Sequence, residues 1–538
     1  MRSWRDAYDH FRFEDAERRA LGELRLADGI NACVLCCDRH QQDAVALRWI
    51  DKDFTAHERT YADLREGAGR FANLLHAEGV GPGDRVAALL SRIPALFDVI
   101  LGTWRAGAVY QPLFTAFGPQ AIAPRLAGSS ARLVVTDPAN LPKLADVPNC
   151  PPVLVVPHGG PVPHGAWNFA AATAAQRDAF APVPRTPDDL FFLMFTSGTT
   201  GRAKGVGWPM RGIVALDSYM HDGIALQPDD RFWNLADPGW AYGLAYAVAG
   251  PLMHGNTATI FEGAFSAEAA FRILREQRIT NLAGAPTAFR MMMAAGDAAA
   301  AGLRGELRCI SSAGEPLSPE VIRWARRVFD APVGDHYGQT ETGMVLANHH
   351  GLRHEHRAGS AGMPMPGWRV AVLDDELHEL PANTPGVLAI DRERSPLLSF
   401  PGYWQADTPG FRGSWYLTGD TFERDEDGVF TFVGRADDII TSSGYRIGPF
   451  EVESALLEHP AVAEAAVVGR RDPERTEIVV AHVVLREGHE ACGMMAADLQ
   501  DHVKRRLAAH AYPREVVFHD TLPKTPSGKT QRYLLRQR

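Results

Sequence analysis

The stretch RVAALLSRIPALFDVILGTWRAGAVYQPL, residues 85–113, sets the strongest limit on the fold. It reads as strand, turn, amphipathic helix and strand in one continuous run. The texture recurs: ARLVVTD, PPVLVVP and DLFFLMFTSG are short apolar runs closed by turn residues, which predicts buried strands. LRCISSAGEPLSPEVIRWARRVF reads as strand, loop and a helix opened by Ser318 and Pro319. Strands alternating with helices predict an α/β fold with a largely parallel sheet and helices on its faces. In such folds ligands bind on the loops beyond the carboxyl ends of the strands. The Pro/His/Gly-rich piece PHGGPVPHGAW is a surface excursion, and no internal repeat is present.

A chain of 538 residues exceeds one simple core, so two or more domains are expected. The texture changes near the end. GVFTFVGRADDIITSSGYRIGPFEVESALLEHP is followed by AVAEAAVVGR, EIVVAHVVLRE and the helical AADLQDHVKRRLAAH. That is about 100 residues of compact α/β, enough for a small domain. The acidic, non-apolar Arg435-Ala436-Asp437-Asp438 is the expected boundary. It divides a large domain of sheets layered with helices (1–436) from a small α/β domain (437–538).

A net charge of -10 leaves no basic surplus for nucleic acid or an anionic membrane. The N-terminus mixes acids with arginines and has no apolar core, unlike a secretory or transit peptide. The most apolar region, Val86 to Phe114, is broken by Arg92, Pro94, Asp98 and Arg105, so no membrane span is expected and the setting is read as cytoplasmic. Oligomeric state leaves no trace in the sequence. Six scattered cysteines form no disulfide framework, and the C-x-x-C of Cys33 and Cys36 has no second pair at zinc-finger distance. The cluster HHGLRHEH, His349 to His356, has mixed spacing with a Gly inside. It fits no single helical face and is expected to be solvated loop.

Basic residues point to chemistry. Of 55, only six are lysine: Lys52, Lys143, Lys204, Lys504, Lys524 and Lys529. Lys is a compact point charge on a flexible stem, and Arg is a rigid fork. A site that threads one cation onto a reacting oxygen cannot easily accept Arg. Lys204 closes TSGTTGRAKG, residues 196–205, where three glycines and four hydroxyls follow a strand-like FFLMF. Such a loop suits backbone N–H groups wrapped around phosphate oxygens. It is not a Walker A loop, because Ala203 precedes Lys204 and Gly-Lys-Ser/Thr is absent there.

TSGTTGRAKG resembles the phosphate loop of the adenylate-forming superfamily, which includes acyl-CoA synthetases, adenylation domains and beetle luciferases. AGEP (313–316), DHYGQTETG (335–343), YLTGD (416–420), GRADDIITSSGYRIGPFEVE (434–453) and PKTPSGK (523–529) follow in family order. The likeness covers the chain from about residue 30 to the end and is strongest to acetyl-CoA and medium-chain acyl-CoA synthetases. The resemblance implies that a carboxylate attacks the α-phosphorus of ATP to give acyl-AMP, which the thiol of CoA then takes up. ATP, Mg²⁺ and CoA are thus the implied cofactor and co-substrates, with a small carboxylic acid as partner.

Residue by residue, the resemblance implies that Thr196, Ser197, Gly198, Thr199, Thr200 and Gly201 hold the β- and γ-phosphates, with Lys204 beside them. Gly314, Glu315 and Pro316 form one wall of the adenine slot; Asp335, His336 and Tyr337 form the other. Thr340 touches the α-phosphate, Glu341 ligates Mg²⁺, and Asp420 binds the ribose hydroxyls with Arg435 assisting. Lys529 bridges the attacking carboxylate and ATP. Asp437 is the hinge of a mobile small domain. Swinging about it presents Gly444 and Tyr445 to CoA and brings Arg446 near phosphates.

The acyl pocket matches Ala241, Tyr242, Ala313 and Gly338, with Trp240 lining it or the CoA tunnel. Acetate-activating relatives carry a Trp where Gly338 stands. The missing indole implies a deeper pocket for a medium-chain, branched or aryl acid, and Tyr242 shortens it again. The nearest alternative is an acyl-AMP ligase that loads a carrier protein. A luciferase-type oxygenase shares the same motifs. A catalytically dead relative is disfavoured by the presence of Lys529, Glu341 and Asp420.

Overall fold

A computed structural model describes residues 1–196, 203–435, 438–442, 445–472, 475–507, 511–524 and 530–536, without the side chains of Tyr445 and Arg446. The opening stretch folds as read. Strand Arg85–Leu89, helix Pro94–Arg105 and strand Val109–Pro112 succeed one another, with Pro94 at the first helical turn, where no N–H is needed. Those strands belong to a seven-stranded sheet that also holds Leu133–Thr136, Val153–Val155 and Leu190–Thr196. All its neighbours run parallel until the last pair, where Lys204–Pro209 returns antiparallel on Leu190–Thr196.

A second sheet of six strands runs parallel from Phe232–Asn234 through Asn281–Gly284 and Cys309–Ala313 to Val333–Gln339. It then turns antiparallel through Gly343–Ala347 and Met363–Pro364. Helix Pro319–Phe329 starts as the sequence predicts, with the Ser318 hydroxyl accepting from Val321 N. The expectation of one largely parallel sheet needs correction beyond this point. A five-stranded sheet, Val370–Leu373, Gly386–Asp391, Phe411–Arg412, Trp415–Arg424 and Phe430–Arg435, is antiparallel throughout. Its strands are joined by turns and loops, with no intervening helix, and antiparallel neighbours need no crossover.

After Arg435 the chain builds a separate five-stranded sheet around Thr476–Leu485. Ile440, Ile447, Val452, Val467, Val479, Leu499 and Val503 form its own apolar core. Among the described residues no helix is long and apolar enough to cross a membrane.

The large core depends on close helix contact. Helix Tyr61–Ala77 opens with a capping box: the Thr60 hydroxyl accepts from Asp63 N and the Asp63 carboxylate accepts from Thr60 N. It packs on Pro94–Arg105 through small residues. A Cβ added at Gly102 would lie 2.8 Å from Phe71 Cβ, and one at Gly69 would lie 1.6 Å from the Asp178 carbonyl oxygen. Backbone has to move in the second case. Gly69→Ala is therefore expected to destabilise the protein by about 1–3 kcal/mol. Gly81→Ala, where a Cβ meets nothing within 4 Å, is expected to stay within about 0.5 kcal/mol. Denaturant melts of the two variants test the contrast, and equal midpoints would contradict it.

Candidate active site

The site forms where the parallel part of the second sheet gives way to its antiparallel edge. Strand Val333–Gln339 carries Asp335, His336, Tyr337 and Gly338, beside Cys309–Ala313, which ends at Ala313. Gly314 follows at φ 98°, with open space where a Cβ would point; an L side chain is disfavoured there, and glycine meets the turn without strain. Glu315 turns onto helix Pro286–Ala294, accepting from the Thr287 hydroxyl at 3.0 Å and Arg290 Nη2 at 2.8 Å. Leu317 N donates to Asp335 Oδ2 at 3.0 Å. The other Asp335 oxygen is buried without a hydrogen-bond partner among the described residues. Burial pushes the Asp335 carboxyl up to about 8.

Thr340 and Glu341 sit at the tip of the next hairpin. Thr342 N donates to Gln339 O at 3.2 Å, and Gly343 follows at φ 69°, the form of a tight turn with a left-handed glycine. The indole N–H of Trp208 donates to Thr340 O at 2.7 Å and holds the tip from behind. Tyr403 Oη donates to Glu341 Oε1 at 2.9 Å, while Lys204 Nζ lies 4.7 Å from the Tyr403 ring centroid. Burial raises the Glu341 carboxyl, against the opposing pull of the Tyr403 hydrogen bond and the Lys204 charge. A hard carboxylate oxygen suits a magnesium ion shared with phosphate oxygens. Among the described residues no group of three or more His, Cys, Asp or Glu could hold a metal alone.

Asp420, buried on Trp415–Arg424, faces this strand from the antiparallel sheet. Its Oδ2 accepts from Tyr337 Oη at 2.5 Å and from Gln339 Nε2 at 2.8 Å. Arg435 Nη1 lies 3.9 Å from Oδ1, and the two residues are strand partners. The Tyr337 ring packs on Phe422 at 4.7 Å, which fixes the face it presents.

Thr196 ends its strand opposite Lys204, to whose carbonyl its hydroxyl donates at 3.4 Å. Ser197, Gly198, Thr199, Thr200 and Gly201 lie outside the described residues, as do Asp437, Gly444 and Lys529. Tyr445 and Arg446 are described only as backbone of a strand paired with Ile440–Ser442.

The acyl-pocket candidates divide. Tyr242 packs beside Tyr246, their ring centroids 5.3 Å apart, and its hydroxyl lies 3.1 Å from that of Tyr219. Trp240 turns instead to Phe114 and Phe117, at 5.2 and 5.5 Å. A Cβ at Gly338 would lie 2.1 Å from the Gly343 carbonyl oxygen. The hairpin backbone thus fills the space a side chain would need first. The histidine cluster contradicts the expectation of solvated loop. His349 and His350 are 1% and 7% exposed, His350 Nε2 donates to Ile310 O, and burial lowers them to about 4 and about 3. The segment packs behind Val333–Gln339, where its neutral rings serve as core.

Tyr403, Trp208 and Tyr219 carry no mark in the sequence, and Gln339 lies unremarked inside a quoted motif. Their partners are 62, 132 and 117 residues away for the first three.

The family model described as AMP-binding enzyme matches residues 36–404, and the AMP-binding enzyme C-terminal domain matches 451–529. The acetyl-coenzyme A synthetase of Bacillus subtilis (strain 168) is 37% identical over 551 residues, covering 100% of this chain and 95% of that enzyme. Among solved structures, a Brucella canis acyl-CoA synthetase is 54% identical with a TM-score of 0.82, covering 100% of this chain and 99% of that one. A benzoate CoA ligase from Burkholderia xenovorans LB400 is 29% identical with a TM-score of 0.83, covering 94% and 100%.

A carboxyl held near 8 when folded and near ~3.9 when unfolded binds its proton more tightly in the native state. Its stabilising contribution is full below about pH 4 and is lost as the pH rises through about 8. The amide introduced by Asp335→Asn keeps an acceptor for Leu317 N and does not titrate. The melting temperature of that variant relative to wild type is expected to climb between pH 5 and 8 and level off above. A difference constant with pH would show that Asp335 is ionised throughout.

Proposed function

The chain belongs to the AMP-binding enzyme family, and on that premise we propose that it is an AMP-forming acyl-CoA synthetase acting on a carboxylic acid larger than acetate. ATP, Mg²⁺ and CoA serve it, and the cytoplasm, where ATP and CoA are both supplied, is its setting. The observation that carries the reading is the convergence of Tyr337, Gln339 and Asp420 beside the turn bearing Thr340 and Glu341, with Lys204 over Tyr403.

In the first half-reaction a carboxylate oxygen forms a bond to the α-phosphorus of ATP and pyrophosphate leaves. Two anions must approach, so cations and preorganised donors supply most of the stabilisation. Adenine lies between Gly314–Pro316 and the Asp335–Tyr337 face, and the ribose hydroxyls donate to Asp420, displacing Tyr337 or Gln339 from one of its oxygens. The segment Thr196–Gly201 with Lys204 takes the β- and γ-phosphates, and Thr340 takes the α-phosphate. Glu341 would hold a magnesium ion, which when bound would supply positive charge to the phosphates. In the second half-reaction the CoA thiolate attacks the acyl carbon and AMP leaves. The small domain, taken as 437–538, turns about Asp437 between the two steps, removing Lys529, presenting Gly444 and Tyr445 to CoA and bringing Arg446 near phosphates.

Ala241, Tyr242, Ala313 and Gly338 are proposed to line the acyl pocket, with Trp240 at its edge. The small Ala241 favours a branched, medium-chain or aryl acid, and an indole is absent at 338, although the hairpin backbone takes the space nearest Gly338. The fold likeness to a benzoate CoA ligase accords with the last. Acetate is the second reading, favoured by the name of the Bacillus subtilis relative and by the hairpin backbone against Gly338.

The test is mass spectrometry of protein incubated with ATP, Mg²⁺, CoA and an equimolar pool of C2 to C12, branched and aryl acids. Acyl-CoA from one size class larger than acetate is expected. Acetyl-CoA dominating the products would overturn the pocket reading, and acyl-AMP without thioester would point to a carrier protein as acceptor. Lys529→Arg is expected to slow acyl-AMP formation by about 10²-fold or more and thioester formation from supplied acyl-AMP far less. Equal losses in both steps would remove Lys529 from adenylation.

A further inference from the structure

The hydroxyls behind the proposed acyl pocket form a chain whose hydrogen-bond direction is fixed at its inner end. His336 Nε2 lies 3.2 Å from the Asn348 carbonyl oxygen. A carbonyl only accepts, so Nε2 carries the proton. His336 is 2% exposed, and burial beside His349 and His350 holds it well below the usual imidazole range. It is neutral, and its Nδ1 is a bare acceptor. Tyr219 Oη, 2.7 Å from Nδ1, must donate to it.

A phenol has one proton. With that proton directed at Nδ1, Tyr219 can only accept from Tyr242 Oη at 3.1 Å. Tyr242 thus commits its own proton inward. Tyr219 is fully buried, and Tyr242 is the member of the chain that retains exposure. Tyr246 packs against both rings, at 4.7 and 5.3 Å, and holds the pair together. A ligand group that reached the Tyr242 oxygen would find lone pairs and no free proton.

We propose that Tyr242 is a specificity-determining residue that offers the acyl group an acceptor-only hydroxyl, and so selects carboxylic acids bearing a neutral hydrogen-bond donor, a hydroxyl or an amino group. The proposal rests on the placement of the acyl pocket at Tyr242 given above. An acid with a methyl in place of the donor leaves a desolvated acceptor unsatisfied. A dicarboxylic acid sets a second carboxylate against lone pairs. A site built to bind a polar substituent discriminates far more sharply against its apolar isostere than an apolar slot discriminates by size.

The experiment measures kcat/KM, from AMP release and acyl-CoA formation, for isosteric pairs supplied to the full-length protein with ATP, Mg²⁺ and CoA. Hydroxy- and aminobenzoates are compared with the matching methylbenzoates, and hydroxyalkanoates with methyl-branched acids of equal length. The donor-bearing member is expected to win by about tenfold or more at one position of the ring or chain. Tyr242→Phe is expected to erase that preference. Tyr219→Phe releases the Tyr242 proton and is expected to shift preference toward acceptor-bearing methoxy acids. A merely structural role would lower all members together without reordering them. Methyl acids that match or exceed their partners in every pair, or a preference intact in Tyr242→Phe, would overturn the proposal while leaving the ligase in place. Failure of every acid to give acyl-CoA would overturn the ligase reading itself, and this proposal with it.

Discussion

The carboxylate of Asp420 is the constraint on which the rest of the site depends. It is 6% exposed, and a charge in such a place is tolerated only with donors around it. Two come from one strand of the neighbouring sheet, Tyr337 and Gln339, and the Arg435 guanidinium stands near its other oxygen. Meeting that demand ties the antiparallel sheet to Val333–Gln339. The turn beginning at Gln339 carries Thr340 and Glu341 directly after it. Arg435 is the last described residue before the proposed hinge. The carboxylate therefore links Val333–Gln339 to the last described residue before the C-terminal sheet.

The second support comes from sequence far away. Trp208 donates to the Thr340 carbonyl, and Tyr403 donates to Glu341 beneath the Lys204 ammonium. The Tyr403–Glu341 bond joins the long connection after Gly386–Asp391 to the hairpin tip, and the Trp208 bond joins the first sheet to it. Burial raises the Glu341 carboxyl, and the Tyr403 hydrogen bond and the Lys204 charge oppose part of that rise.

Local signals carried much of this into the sequence. Pro94, Ser318 and Pro319 mark helix starts by backbone chemistry, and the strand–helix–strand texture of residues 85–113 needs no distant partner to be read. The antiparallel sheet was not legible, because alternation along a strand does not say whether its neighbour runs parallel or antiparallel. The histidine cluster was misread for a related reason: its burial comes from packing behind Val333–Gln339, which spacing within eight residues does not encode. Gly338 shows the same limit at one position. A missing side chain suggests empty volume, yet the Gly343 carbonyl lies where its Cβ would be. Of the candidates drawn from motifs, Tyr337, Thr340, Glu341 and Asp420 stand near one another in the fold. Tyr219, Trp208 and Tyr403, which contact candidate site residues, were not legible, since only the fold brings them near.

In the proposed reaction a carboxylate oxygen attacks the α-phosphorus beside the turn that Tyr403 and Trp208 contact. The most direct measurement follows that oxygen. The protein would be given the best acid from a substrate screen, labelled with ¹⁸O in both carboxylate positions, with ATP, Mg²⁺ and CoA, and the phosphorus products separated by mass. One ¹⁸O atom in AMP and none in pyrophosphate is the predicted result, because the acyl–oxygen bond breaks when thiolate displaces AMP. Label in pyrophosphate or inorganic phosphate, or AMP without label, would contradict it.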